Sequence, residues 1–181
     1  DILVPVENRN TTFWAELEYR FLVGGKEQPL RKAFILPAQA KYLAELGAET
    51  ASGASVELKI EKRIWHRVDL QGASSAEDLA GLRLDIRAEN PLFVPSDPLA
   101  TTPVSSAKFT LFNDTAFGYY DIDLLVLLYR GDTVVGVNKV RVDTLAAGQK
   151  KPMELFWFQL LPQITKVQVI PDLNIYDPYV Y

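Results

Sequence analysis

The chain has 181 residues, a formal net charge of −4 and no cysteine, and 48% of its residues are hydrophobic. The acidic balance argues against a protein that binds nucleic acid, because backbone phosphates demand a basic surface. The absence of cysteine excludes disulfides, thiolate zinc sites and cysteine catalysis. No run of about 18 apolar residues occurs, so the sequence predicts no membrane span.

The first segments have the pattern of β-strands separated by turns. Residues 2–6 predict a strand that ends at an Asn-rich turn, and residues 13–23 alternate between apolar and polar side chains, as in a half-buried strand. Gly24-Gly25 predicts a turn, and residues 30–36 predict the return strand. Further on, Tyr42, Leu43 and Leu46 predict one helical turn that ends at Gly47.

Two more segments follow before the middle of the chain. Residues 51–55 predict a loop, and residues 56–65 predict a strand with alternating faces. The inward side chains in this prediction are Val56, Leu58 and Ile60, and the outward ones are Glu57, Lys59 and Glu61.

The stretch from residue 71 to residue 103 begins with small polar residues that suit a linker. Ser75 and Asp78 have the spacing of a capping box and predict one helical turn. Residues 82–88 alternate as a strand, which Asn90-Pro91 is expected to end. The prolines that follow predict an extended, poorly paired segment.

The most regular stretch covers residues 113–149. Residues 121–130 (DIDLLVLLYR) predict a long strand, Gly131-Asp132 a hairpin turn, and residues 133–143 the return strand. A helix is disfavoured because β-branched and aromatic residues are dense here. A second turn near Gly148-Gln149 leads to another apolar strand.

A degenerate copy of this stretch lies near the N-terminus. Residues 15–21 match residues 122–128, and residues 36–39 match residues 145–149. Gly24 likewise matches Gly131, and residues 56–65 match residues 167–176. The offset between the paired segments stays nearly constant, which predicts an internal duplication; the alternative is that strands of any sandwich look alike.

The order of turns and strands from about residue 104 to residue 175 resembles the FxLYD-type family of immunoglobulin-like domains in bacterial and archaeal envelope proteins. The residues that carry the resemblance are Phe109, Asn113, Leu127-Leu128-Tyr129, Gly131, Val134-Val135-Gly136, Leu145 and Gly148-Gln149. The chain departs from the family at residues 127–130, where the family has Leu-Tyr-Asp followed by a glycine turn. Asn90-Pro91 after an alternating strand also resembles the late-embryogenesis-abundant type 2 domains. The resemblance implies a sandwich and brings no catalytic residues.

These patterns predict an all-β fold of two tandem immunoglobulin-like antiparallel β-sandwiches. The expected boundaries are residues 1–70 for the first sandwich, residues 71–103 for a linker and Pro-rich segment with one possible strand, and residues 104–181 for the second sandwich. The alternative is one larger sandwich with a Pro-rich insertion. The sequence leaves open whether residues 82–94 close the first sandwich or open the second.

Few residues could carry chemistry. His66 is the only histidine and could pair with Asp69, although a strand-end histidine beside Trp65 is the simpler interpretation. Four aspartates near the long strand could suggest calcium: Asp121, Asp123, Asp132 and Asp143. They flank a strand and two turns, where Asp is a normal turn former. We therefore predict no catalytic residues, no cofactor and no bound metal.

Aromatic residues are the remaining functional clue, because sugar-binding sandwiches use flat, exposed rings, whereas core filling explains most aromatics. Those in or beside predicted strands are Trp14, Tyr119, Tyr120, Phe156, Trp157, Phe158, Tyr176, Tyr179 and Tyr181. The sequence predicts a non-enzymatic envelope or cell-surface module for protein interaction or structural spacing. Carbohydrate binding is the alternative. Asp1 in place of Met predicts a chain trimmed of a signal peptide or anchor, and hence an extracytoplasmic location.

The long strand also predicts an interface. Leu125, Leu127 and Tyr129 alternate with the apolar residues of the opposite face, so they cannot join the same core. Contiguous exposed apolar patches usually mark an interface. We expect this face to be covered by the other sandwich, by the Pro-rich segment at residues 90–103, or by a second copy in a homodimer. We favour cover within the chain, because the Pro-rich segment is adjacent in sequence and rich in apolar residues.

Overall fold

The computed structural model describes residues 1–48, 53–97, 99 and 101–181. The chain is all-β with antiparallel sheets, as predicted, and it divides into two compact units, Asp1–Leu79 and Ala80–Tyr181. In the described part of the chain, no helix is both long and apolar enough to cross a membrane.

The first unit is built from two sheets. Its strands are β1 (Ile2–Glu7), β2 (Phe13–Val23), β3 (Lys26–Glu27), β4 (Arg31–Ile35), β5 (Ala40–Glu45) and β6 (Val56–Arg67). Strand β1 pairs with β5, and β2 pairs with β3, β4 and β6. Ile2 and Leu43 from the first sheet pack against Tyr19, Phe21 and Val23 from the second. Because the core side chains come from both sheets, this unit has the layering of a sandwich.

The second unit, like the first, contains six strands in the described residues. It holds β7 (Ile86–Val94), β8 (Ser105–Asn113), β9 (Tyr119–Arg130), β10 (Thr133–Leu145), β11 (Lys150–Trp157), β12 (Lys166–Asp172) and a 3₁₀ helix at Pro178–Val180. One sheet has the order β10-β9-β12 and the other the order β11-β8-β7. The helix α1 (Ala76–Arg83) crosses the boundary between the units.

Glycines set both hairpins. Gly24 and Gly25 have φ values of 55° and 79° and form the two-residue turn between β2 and β3, as a type I′ hairpin requires. Gly131 (φ 59°) opens the equivalent two-residue turn between β9 and β10. These positive φ values favour glycine, which lacks the Cβ that restricts other residues.

The two units repeat one order of strand pairing. In the first unit, β1-β5 stands beside a sheet in which β2 lies between β4 and β6. In the second unit, β8-β11 stands beside a sheet in which β9 lies between β10 and β12. The difference is β7, which pairs with the free side of β8. Residues 86–94, whose place the sequence left open, therefore lie in the second unit.

The predicted helical turn at Tyr42, Leu43 and Leu46 is wrong, because residues 40–45 form strand β5. Lys41, Leu43 and Glu45 are the buried side chains of this strand, at 8%, 2% and 7% exposure. Two of these three inward positions are charged, which hides the alternation that normally marks a strand. The predicted return strand at residues 30–36 corresponds to β4 (Arg31–Ile35), and the two-residue strand β3 precedes it.

Residues 71–103 are more structured than a linker. The Ser75 hydroxyl accepts a hydrogen bond from the Asp78 N–H at 3.0 Å, and the helix it caps runs to Arg83. The predicted strand at residues 82–88 therefore begins later, at Ile86. Asn90-Pro91 does not end it, because Asn90 (φ 51°) forms a bulge and the strand continues to Val94.

Candidate functional site: the apolar end of the second unit

Antiparallel pairing gathers three distant segments at one end of the sheet β11-β8-β7. The end of β7, the start of β8 and the end of β11 meet there, since both Val94 and Phe156 are opposite Ser106. Directly opposed residues of neighbouring strands point to the same face. Val94, Ser106 and Phe156 thus form one row across the outer face of this sheet.

Large apolar side chains are exposed around this row. We call the six of them the apolar end: Leu92 (60% exposed), Val94 (37%), Val104 (40%), Phe156 (46%), Phe158 (72%) and Leu160 (82%). Single exposed apolar residues are common on protein surfaces, but contiguous patches mark interaction sites. The apolar end is the candidate binding surface of this chain.

The position of Phe156 follows from the residue beside it. Trp157 is 5% exposed and its indole N–H donates to the Val137 carbonyl at 3.3 Å, so it faces inward. Successive side chains of a strand point to opposite faces, which turns Phe156 outward. The Asn138 side-chain amide donates to the Phe156 carbonyl at 3.0 Å and fixes the end of β11. Phe156 and Phe158 on either side of a buried Trp157 were the sequence signal for this surface.

A crevice of about 440 Å³ adjoins the apolar end, between the end of β7 and the segment that leads into β12. Its lining includes Leu92, Pro95, Leu161, Pro162 and Ile164. The Thr165 hydroxyl in the same lining is already engaged, because it accepts from the Gly131 N–H at 2.9 Å and donates to the Tyr129 carbonyl at 3.1 Å. The crevice has a lining of mixed polarity, in which Leu92, Leu161 and Ile164 can contact an apolar side chain.

A charged row borders the apolar end on the same face. Lys108 and Glu154 are opposed across β8 and β11, and their charged groups are 3.2 Å apart. The hydrogen bond from Ser106 lowers the pKa of Glu154, against the effect of burial, and Lys108 adds to the lowering. Apolar centres with polar rims are typical of protein interfaces.

The predicted interface residues Leu125, Leu127 and Tyr129 are largely buried within the chain. Leu125 is 7% exposed and Leu127 is 0% exposed, and the Tyr129 hydroxyl donates to the Gln168 side-chain oxygen at 2.9 Å. In the ladder, Leu127 lies between Val137 and Gln168. Both faces of β9 are therefore buried by the chain itself, and their burial needs no second copy of the protein.

The Pro-rich segment is not the cover that we favoured for this face. Its residues 90–94 belong to β7, which pairs with β8 in the opposite sheet. Leu92 and Leu99 are 60% and 93% exposed, so these side chains cover nothing. Residues 98 and 100 of the segment lie outside the described residues.

The only histidine has partners other than Asp69. The His66 ring stacks on Trp14 with centroids 4.2 Å apart, and its Nε2 lies 3.3 Å from a Glu16 carboxylate oxygen. The Asp69 carboxylate accepts from the Gln71 N–H at 3.0 Å. His66 and Trp65 are consecutive in β6 and so point to opposite faces.

Asp123, one of the four aspartates near β9, is held by cations of the same sheet. Burial raises the pKa of Asp123, but hydrogen bonds from Arg141 and Lys139 reverse this effect and leave the pKa below its ordinary value. Among the described residues, no group of three or more His, Asp and Glu side chains is placed to hold a metal ion.

The aromatic residues divide between core and surface. Trp14, Tyr119 and Trp157 are buried, whereas Tyr120 and Tyr179 are exposed outside the apolar end.

No known protein family matches this chain, and no curated protein is significantly similar to it.

Proposed function

We propose that this chain is a non-enzymatic β-sandwich module that binds another protein through the apolar end of its second unit. The observation that carries the proposal is the exposure of Leu92, Val94 and Phe156 at the meeting point of three distant segments, with further exposed apolar residues in the chain that adjoins the strand ends. Fully burying a side chain of this size contributes about 1.5–3 kcal/mol. A partner that covers Phe158 and Leu160 gains a large part of that free energy.

The crevice beside the apolar end supports a partner with an apolar anchor residue. Its volume of about 440 Å³ accommodates a Leu or Phe side chain, and Leu161 and Ile164 provide the contact surface. Protein interfaces draw much of their affinity from one such anchor seated in a pocket. The Lys108–Glu154 pair then lies at the rim, where it orients the partner.

The exposed aromatics favour a protein partner over a sugar. Two of the three tryptophans, Trp14 and Trp157, are in the core at 8% and 5% exposure. The exposed rings at the apolar end are Phe156 and Phe158, which have no polar atom with which to bond a sugar hydroxyl. An extracytoplasmic location stays part of the proposal, supported by the lack of cysteine and by the resemblance to envelope domains.

The test is site-specific photo-crosslinking in cells that produce the protein. A photoreactive residue at position 158 should give a discrete adduct, and adding Val94→Asp to the same chain should abolish it. Position 82 is the matched control, because Leu82 is 63% exposed but lies on α1. Adducts of equal strength from both positions, or dose-dependent glycan-array binding that Phe158→Ser removes, would contradict the proposal.

A further inference from the structure

The first unit leaves open a position that the second unit fills. In the second unit, β8 pairs with β11 on one side and with β7 on the other. In the described part of the first unit, the equivalent strand β1 pairs with β5 alone. An unpaired strand edge presents free N–H and C=O groups and is a template for an added strand.

Strand β6, which belongs to the other sheet of the first unit, is also uncovered on its inner face. Ile60 and Trp65 of β6 are opposed to Tyr19 and Ala15, whose side chains form the core. Even so, Ile60 and Trp65 are each 41% exposed, and Val56 on the same face is 44% exposed. In the second unit β7 contacts β12, the counterpart of β6, where Val167 is only 9% exposed.

We propose that the groove between β1 and β6 accepts an extended strand donated by a partner polypeptide, in the place that β7 takes in the second unit. This groove is distinct from the apolar end and concerns the other unit. The recognition is main-chain pairing along β1, with alternate side chains of the donated strand filling the space over β6.

The structure of the second unit sets the direction and chemistry of the donated strand. Strand β7 runs antiparallel to β8, and its Phe93 is opposite Ala107 while its Ile86 is opposite Asn113. If the donated strand takes the place of β7 in the first unit, its C-terminal half lies near Ile2 and near Val56, the exposed start of β6. Apolar residues suit that half.

The N-terminal half of the donated strand suits an acidic residue. Arg63 and Trp65 lie on the inner face of β6, opposed to Leu17 and Ala15, and the Arg63 guanidinium is 5.3 Å from the Trp65 ring centroid. Val6 packs against the core cluster that contains Ala15 and Leu17. When Asn8 is aligned with Asn113, Val6 corresponds to Leu111. In the second unit, Leu111 is opposite Ala88 of β7. A glutamate at the position of Ala88 therefore meets Arg63.

Pro5 in β1 is compatible with such a strand. Proline has no N–H and is tolerated at sheet edges. Its counterpart in the second unit is Thr110, which lies beside the bulge that Asn90 makes in β7. A donated strand with the same bulge has no need of a main-chain donor at this position.

The experiment measures fluorescence anisotropy of two labelled peptides with the full chain. One copies residues 86–94 (IRAENPLFV), and the other carries Ala88→Glu. We expect both to bind and the Glu peptide to bind more tightly, with Arg63→Ala removing the difference. Ile60→Lys should weaken binding about tenfold or more, because it places a charge in the groove. Ile64→Lys is the matched control, since Ile64 is 38% exposed on the opposite face of the same strand.

Amide hydrogen exchange gives the second readout, which should be slower in β1 when peptide is bound. Circular dichroism establishes that each variant is folded. Absence of binding at millimolar peptide, or equal loss from Ile60→Lys and Ile64→Lys, overturns the proposal. A dimer that Ile60→Lys dissociates in sedimentation also overturns it, because a second copy would then occupy the edge.

Discussion

Asn8 and Asn113 make equivalent hydrogen bonds at the same corner of the two units. The Asn8 amide donates to the Phe13 and Leu36 carbonyls at 2.8 and 2.9 Å. The Asn113 amide donates to the Phe117 and Ala146 carbonyls at 2.7 and 3.0 Å. Each asparagine side chain therefore links the segment that follows it in the sequence to a more distant turn, at Leu36 in the first unit and at Ala146 in the second.

The same corner is completed by a glutamine in each unit. The Gln39 side chain accepts from the Leu36 N–H at 2.8 Å, and the Gln149 side chain accepts from the Ala146 N–H at 2.7 Å. The main-chain carbonyls of these glutamines accept from the Asn8 and Asn113 N–H groups. The recurrence of four matched hydrogen bonds supports the interpretation of the units as copies of one ancestral sequence.

Asn113→Ala should lower the free energy of unfolding by about 3 kcal/mol, because it leaves buried carbonyls without donors. Asn113 is 0% exposed, so water cannot replace the lost amide. Asn113→Asp should cost at least as much, since it turns an oxygen toward the same carbonyls. Denaturant unfolding measures both changes, and hydrogen exchange should show faster opening at β8 and β9. Equal stability of the Asp variant and the parent would contradict this account.

Strand prediction succeeded where burial alternated with solvent exposure and failed where polar groups faced inward. Residues 13–23 alternate cleanly, and the predicted strand has the observed bounds. Strand β5 was missed because Lys41 and Glu45 take inward positions. In β6, Ile60 is on the predicted inner face, opposite Tyr19, but it is 41% exposed there, so its predicted face is right and its predicted burial is not.

The candidate site could not be derived from local patterns. Val94, Val104 and Phe158 lie in three separate stretches of the sequence, and only antiparallel pairing brings these stretches to one end of a sheet. Conversely, Leu125 and Leu127 form a strong local pattern, but the chain buries them itself. The resemblance to FxLYD-type domains stays a prediction, and it carries no information about surface patches.

Glu45 and Arg31 should make the first unit sensitive to acid. The Arg31 guanidinium donates to both Glu45 carboxylate oxygens, at 2.8 and 2.6 Å, and the hydrogen bond lowers the pKa of Glu45 against the opposing effect of burial. A lowered folded-state pKa stabilises the protein above the unfolded-state pKa of about 4.5 and loses that contribution as the pH falls through the folded value. Glu45→Gln should therefore reduce stability at pH 7 by about 1–3 kcal/mol.

The stability difference between the parent and Glu45→Gln should shrink as the pH falls below about 4.5, where the parent carboxylate becomes protonated. Denaturant unfolding at several pH values measures it. Glu7→Gln is the control, because Glu7 pairs with Arg9 on the surface, where an ion pair contributes about 0–1 kcal/mol. A difference that is independent of pH would show that packing, not charge, is responsible.

Replacement by alanine should have opposite effects on stability at Gly136 and at Gly81. A Cβ at Gly136 would be 3.1 Å from the Leu128 Cδ1, and Leu128 is fully buried. Gly136→Ala should destabilise by about 1–3 kcal/mol through overpacking. Gly81 lies in α1 with nothing within 4 Å of its would-be Cβ, so Gly81→Ala should stabilise by about 0.5–1 kcal/mol. Thermal unfolding distinguishes the two, and a stabilised Gly136→Ala would contradict the packing.

Leu127→Lys tests whether the outer face of β9 is part of the folded core of the chain. Leu127 is 0% exposed between Val137 and Gln168, and the Gln168 side chain is held by the Tyr129 hydroxyl. A lysine there must either bury its charge or push these neighbours aside, so unfolding should become easier by about 3 kcal/mol or more. The loss should be the same at low and high protein concentration, because the parent chain buries Leu127 without a partner.

Leu160→Lys is the matched control, since Leu160 is 82% exposed at the apolar end and its replacement should change stability by less than about 0.5 kcal/mol. Denaturant unfolding across a hundredfold range of protein concentration measures both variants, with sedimentation to follow the oligomeric state. If Leu127→Lys were folded, monomeric and as stable as the parent, the side chain would be exposed in solution. If its effect shrank as the protein was diluted, a second copy would be what buries this face.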